Sequence, residues 1–151
     1  PLPRLTDALE YVKDHPGIRV LLDTKNIRPL ILPLMAADIE AVGVGTEQFS
    51  LGCWSAQCLE EANEVFPTGH HSNLISLFVL QAQFPTFKAL GLDAFHMNSG
   101  SISNEFVEVA HGEGFEVWVW TVNTESSSST ACGQGVDGLC GDYPELLVCD
   151  A

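Results

Sequence analysis

By type and spacing, the residues best suited to chemistry are Asp23 and Lys25, in the run Leu21-Leu-Asp-Thr-Lys25. Ile18 to Leu22 is a β-branched and aliphatic run, and charge appears where a strand built from it should emerge into solvent. In α/β proteins, ligands sit at the carboxyl ends of the strands. Two residues apart in a strand, Asp23 and Lys25 point to one face. A carboxylate and an ammonium so placed suit a metal-bound phosphodiester, the first as an oxygen ligand to Mg²⁺ or Ca²⁺, the second as a partner for a phosphate oxygen. An ordinary strand-end ion pair is the other reading of the same spacing.

The remaining candidates have weaker signals. His70 and His71 are adjacent, so in a strand they face opposite sides and cannot both address one site. Each reads either as a surface imidazole or as a proton donor or phosphate contact at a strand end. His96 reads as interior or loop-supporting. Trp54 follows a strand and could wall a pocket, whereas tryptophans inside a buried strand, Trp118 and Trp120, are ordinarily core residues. Asp142 also ends a strand, with no proton or metal partner evident in the sequence.

The elements that must position these groups recur along the chain. Gly114-Phe-Glu-Val-Trp-Val-Trp-Thr-Val-Asn123 carries bulk on both alternating faces and a single charge, the pattern of a parallel strand covered on both sides. A helix-length segment and a second apolar strand, Val136 to Cys140, follow it. Strand starts fall near 18, 49, 68, 94, 115 and 136, with a helix-length segment in each gap, which makes six βα units. The spacing predicts helices over 4–15, 30–42, 55–66 and 77–84, the last stopped by Pro85, and another around Phe106, Val109 and Ala110. Ser126 to Ser129 should leave the helix after Asn123 short, irregular or exposed. Such repeats give a parallel sheet covered by helices, open or closed as a barrel. No dinucleotide or P-loop glycine signature is present.

The Val-Trp-Val-Trp-Thr-Val-Asn strand, followed after a helix by Gly135-Val-Asp-Gly138, Asp142 and Pro144, resembles the last two βα units of the glycerophosphodiester phosphodiesterase family. Leu51-Gly-Cys-Trp54 and Leu21-Leu-Asp-Thr-Lys25 resemble its middle strands, in the fungal branch that includes phosphatidylglycerol-specific phospholipases C. The resemblance runs over nearly the whole chain. It implies an α/β fold of TIM-barrel type, incomplete, with residues 1–151 forming one partial domain that matches strands 3 to 8. It implies metal-assisted hydrolysis of a glycerophosphodiester or phospholipid with a divalent cation, Mg²⁺ or Ca²⁺. Asp23 would be a metal ligand, Lys25 a phosphate contact, and Trp120 a pocket wall against glycerol or lipid. The family's acid/base histidines and its Glu-x-Asp metal pair belong to earlier strands, so no catalytic residue is assigned here. A noncatalytic barrel that binds a partner, or an oligomer that completes the open barrel, is the alternative expectation.

Bulk properties narrow the partners. Twenty acidic residues stand against six basic ones, and five of those six lie at or before Arg28. That balance argues against nucleic acid and against adsorption to anionic lipid through a basic patch. Five cysteines without C-x-x-C spacing suggest reduced, mostly buried thiols rather than a disulfide framework or zinc site. No apolar run is long enough to span a membrane, and no glycosylation sequon occurs. The expectation is a soluble cytoplasmic chain, membrane-associated if a longer form carries an anchor. Its start at Pro1 suggests a processed or truncated polypeptide.

Overall fold

The computed structural model describes residues 2–25, 31–66 and 71–149. Six strands, β1 to β6, follow one another in chain order in the sheet, and helices occupy the connections. This is an α/β fold of TIM-barrel type, incomplete because that barrel closes with eight strands. The chain divides into two compact units, residues 1–73 and 74–151.

In the first unit, α1 (Leu5–Lys13) precedes β1 (Val20–Asp23), and α2 (Ile31–Val42) leads to β2 (Phe49–Cys53) and α3 (Ala56–Val65). Leu9 and Val12 of α1 are buried, as their helical spacing requires, and Leu32 and Ile39 of α2 are buried likewise. Arg4 occupies the N-cap of α1 without capping through its own side chain. Instead Asp7 reaches back, accepting from the Arg4 backbone N–H at 2.9 Å and from its guanidinium at 2.8 Å. The guanidinium and that backbone donor hold the Asp7 carboxyl below the usual carboxylate range. Lys13 donates to the Val42 carbonyl at 2.6 Å, which satisfies an orphan acceptor at the end of α2. Gly43 follows with φ 73°, the left-handed conformation that closes a helix without a Cβ penalty. Strands β1 and β2 are parallel, with Leu22 opposite Leu51 and Asp23 opposite Gly52. All five β2 residues are buried.

β3 (His71–Ser76) begins at His71 and passes from the first unit into the second. Residues 77–84 do not form the expected helix. A single 3-10 turn at Gln81–Gln83 leads into α4 (Phe84–Ala89), and Pro85 lies in its first turn. Proline there starts a helix rather than stopping one, because its ring presets φ and its missing N–H would have no intrahelical partner anyway.

The second unit continues with β4 (Ala94–Asn98), α5 (Asn104–Gly112), β5 (Glu116–Trp120), α6 (Glu125–Gly133) and β6 (Gly138–Leu139). β4 and β5 are parallel, with Phe95 opposite Val117 and His96 opposite Trp118. One face of this pair is the core. There Phe95 packs against Phe84, Phe106 and Phe115 with ring centroids 5.0, 5.9 and 4.9 Å away. Val119, Val122 and Ala131 form a second buried cluster, joined by Ile102, Leu139 and Leu147. The other face is only half-buried at Glu116, Trp118 and Trp120, so β5 is not covered equally on both sides as its alternation suggested.

One further expectation holds in part and one is corrected. The serine-rich α6 is mostly exposed, as expected, but is a regular nine-residue helix. Thr124 accepts from the Ser127 N–H at 3.1 Å while Ser127 Oγ accepts from the Thr124 N–H, so hydroxyls that weaken a helix interior here complete its cap. The cysteines are not all thiols. Cys53–Cys58 and Cys132–Cys149 are disulfides, each with Cα atoms 5.5 Å apart, and Cys140 is free. Their pairing depends on which elements meet in space, which spacing alone does not report.

Candidate functional site

In the first unit, Asp23 ends β1 and its side chain shares a face with Lys25. The buried Thr24 between them turns the other way, its N–H and Oγ1 both donating to the Gly52 carbonyl, at 2.9 and 2.7 Å. Trp54 leaves the end of β2 two residues after Gly52, the register partner of Asp23, and arrives over the carboxylate. Its indole N–H donates to Asp23 Oδ1 at 2.8 Å. Lys25 Nζ donates to Asp23 Oδ2 at 2.5 Å and stands 4.5 Å from the centroid of the Trp54 ring. The Asp23–Lys25 pair and Trp54, singled out separately in the sequence, therefore form one cluster at the carboxyl ends of two neighbouring parallel strands.

The ion pair does little to hold this cluster. The Lys25 and Asp23 side chains are 66% and 31% exposed, and such pairs contribute about 0–1 kcal/mol. Trp54 is the stiffer element, with two side-chain torsions against four in lysine. A carboxylate has about four acceptor positions, so one bond to each oxygen leaves further lone pairs for a cation. Asp23 fits a single hard oxygen ligand. Among the described residues no group of three or more His, Cys, Asp and Glu could hold a metal ion.

In the second unit, the half-buried face of β5 meets polar partners. Trp120 donates its indole N–H to the His96 carbonyl at 3.0 Å, and Trp118 donates to Glu116 at 3.0 Å. The buried His96 ring stacks on Trp118 with an interplanar angle of 3°. Gly138 of β6 faces Trp118, and a Cβ there would lie 2.1 Å from the ring. Beyond the strand ends, Asn123 and Asp142 bind reciprocally. Asn123 Nδ2 donates to Asp142 Oδ2 at 2.7 Å, and the Asp142 N–H donates to Asn123 Oδ1 at 2.8 Å. Asp142 thus has a partner that the sequence did not reveal, although both residues follow the ends of adjacent strands. Burial pushes the Cys140 thiol up from its ordinary value.

Residues 34–146 match the model of the glycerophosphoryl diester phosphodiesterase family. The chain belongs to that family.

Solved structures agree on the fold. A Galdieria sulphuraria protein assigned as a glycerophosphodiester phosphodiesterase superposes with a TM-score of 0.81 at 15% identity, over 95% of this chain and 61% of its own. A Silicibacter pomeroyi protein assigned to the same activity gives 0.79 at 18% identity, over 95% and 54%. An Oleispira antarctica phosphodiesterase, solved with the product sn-glycerol-3-phosphate, gives 0.76 at 20% identity, over 95% and 58%. This chain thus spans little more than half the length of each. No curated protein matches the sequence.

Of the remaining histidine candidates of this phosphodiesterase-family chain, the two that are described lie away from the carboxyl ends of strands. His71 opens β3 at its amino end. His70 lies outside the described residues. His96 is interior to β4, and His111 pairs at 2.7 Å with Asp137, which also accepts the Val117 N–H, an arrangement at the amino end of β6 that ties α5 to the sheet.

Proposed function

We propose that this chain is the C-terminal part of a phosphoric diester hydrolase that cleaves glycerophosphodiesters or glycerophospholipids with the help of a divalent cation, Mg²⁺ or Ca²⁺. The observation that carries the proposal is the Asp23–Lys25–Trp54 cluster at the carboxyl ends of β1 and β2, in a chain of this family. Asp23 lends one oxygen to the cation. Lys25 has three donors, so its bond to Asp23 leaves others for a phosphate oxygen. Trp120, anchored through its N–H to the sheet, offers its ring to the glycerol or lipid portion. The cation, when bound, withdraws charge from the phosphodiester, and histidines on barrel units outside this chain would move the protons. The single partial domain of residues 1–151 is completed by those units, or by another subunit.

The finer relationship we propose is with the fungal branch that includes phosphatidylglycerol-specific phospholipases C. Among the described residues no helix is long and apolar enough to cross a membrane. Two disulfides favour an oxidising compartment over the expected cytoplasmic location.

The test is direct. The protein at its native length, incubated with a glycerophosphodiester and Mg²⁺ or Ca²⁺, should release sn-glycerol-3-phosphate and stop doing so in a chelator. No hydrolysis with any cation, together with a defined oligomer on sizing, would favour the noncatalytic alternative.

A further inference from the structure

The Asp23 carboxylate is held by a group that is itself held covalently. Trp54 sits between Cys53, the last residue of β2, and the start of α3. Cys53 and Cys58 are fully buried and joined by a disulfide, so the chain from the strand end to the first helical turn is a closed loop with Trp54 on it. Ser55 closes the same loop a second time, its Oγ accepting from the Cys58 N–H at 3.2 Å. The clamp also reaches β1: the buried Thr24 Oγ1 lies 3.4 Å from Cys58 Sγ, on the residue between Asp23 and Lys25. Both strand ends thus rest on one disulfide, and the exposed pair Asp23–Lys25 inherits its geometry from the buried side.

We propose that Trp54 and the Cys53–Cys58 disulfide act together as a positioning device for Asp23 and Lys25. The disulfide fixes the Trp54 backbone, the indole N–H fixes one carboxylate oxygen, and the indole face carries the Lys25 ammonium. This assigns Trp54 to orienting the cluster rather than to walling a substrate pocket. The inference rests on the reading of Asp23 as a cation ligand.

The test uses three variants of the native-length protein and reads Mg²⁺ and Ca²⁺ affinity by calorimetry, without turnover. Trp54→Phe keeps an aromatic face, smaller than the indole, and removes the donor. The double variant Cys53→Ser/Cys58→Ser removes the clamp, and Asp23→Asn removes the proposed ligand. Loss of a group that orients a metal ligand costs about 10–100-fold in affinity, and both Trp54→Phe and the double variant should fall in that range. The indole N–H resonance of Trp54, assigned by its loss in Trp54→Phe, should also shift and exchange faster in the double variant. A merely structural role would lower the melting temperature and leave the affinity of folded protein and that resonance unmoved. If Asp23→Asn weakens binding while Trp54→Phe does not, the positioning role is wrong and the cation reading stands. If Asp23→Asn leaves affinity intact, the cation reading falls and the positioning role falls with it. Should the double variant fail to fold, Trp54→Phe decides alone.

Discussion

Asp23, Lys25 and Trp54 show how a few side chains acquire a role through what lies behind them. The carboxylate and the ammonium were legible in the sequence because two charges close an apolar run with strand alternation. Their common partner was not, because Trp54 is 31 residues from Asp23 and meets it only once β1 and β2 pair in register. The same gap hid the Asn123–Asp142 pair. Glycine choices at this scale are equally specific. Gly138 lies against the Trp118 ring, which is stacked on His96, so the indole has no simple retreat. Gly138→Ala should therefore overpack this face and lower stability by about 1–3 kcal/mol, measured by chemical denaturation. The Trp118 near-ultraviolet dichroism should change with it. A neutral substitution would mean that the ring moves freely and that the stack on His96 is loose.

At the scale of elements, strand and helix alternation was readable because apolar periodicity switches between the two repeats along most of the chain. Failures came where one residue type has two physical roles. Pro85 was read as a stop and is a start. The serines of α6 were read as leaving that helix short, irregular or exposed; it is mostly exposed but regular, because Thr124 and Ser127 cap it, and Ser128 is its only buried serine. The cysteines were read as thiols because pairing is a property of the folded chain. One pair ties the segment after β6 to α6: Cys132 and Cys149 enclose 17 residues of sequence separation. A cross-link of that span is worth about 3 kcal/mol through the entropy of the unfolded chain. Cys132→Ser/Cys149→Ser should lose roughly that stability in urea, and an unchanged midpoint would place the stabilisation elsewhere, in the packing of Leu147 against Val122 and Ala131.

For the whole molecule, six strands in sequence order form an incomplete barrel, and the chain spans 54–61% of the length of the solved structures it matches. Fold class and family were legible from the recurring strand and helix pattern and the strand-end runs, although identity to the solved structures is only 15–20%. Among the described residues no group of three or more His, Cys, Asp and Glu could hold a metal ion. The account rests on the proposal that Asp23 is a cation contact. The most direct measurement is divalent-dependent glycerophosphodiester hydrolysis by the native-length protein and its Asp23→Asn variant, with folding of both checked by circular dichroism. The account predicts a loss beyond the about 10–100-fold that removal of a merely orienting residue costs, with the fold intact. Undiminished, cation-dependent turnover by Asp23→Asn would contradict it.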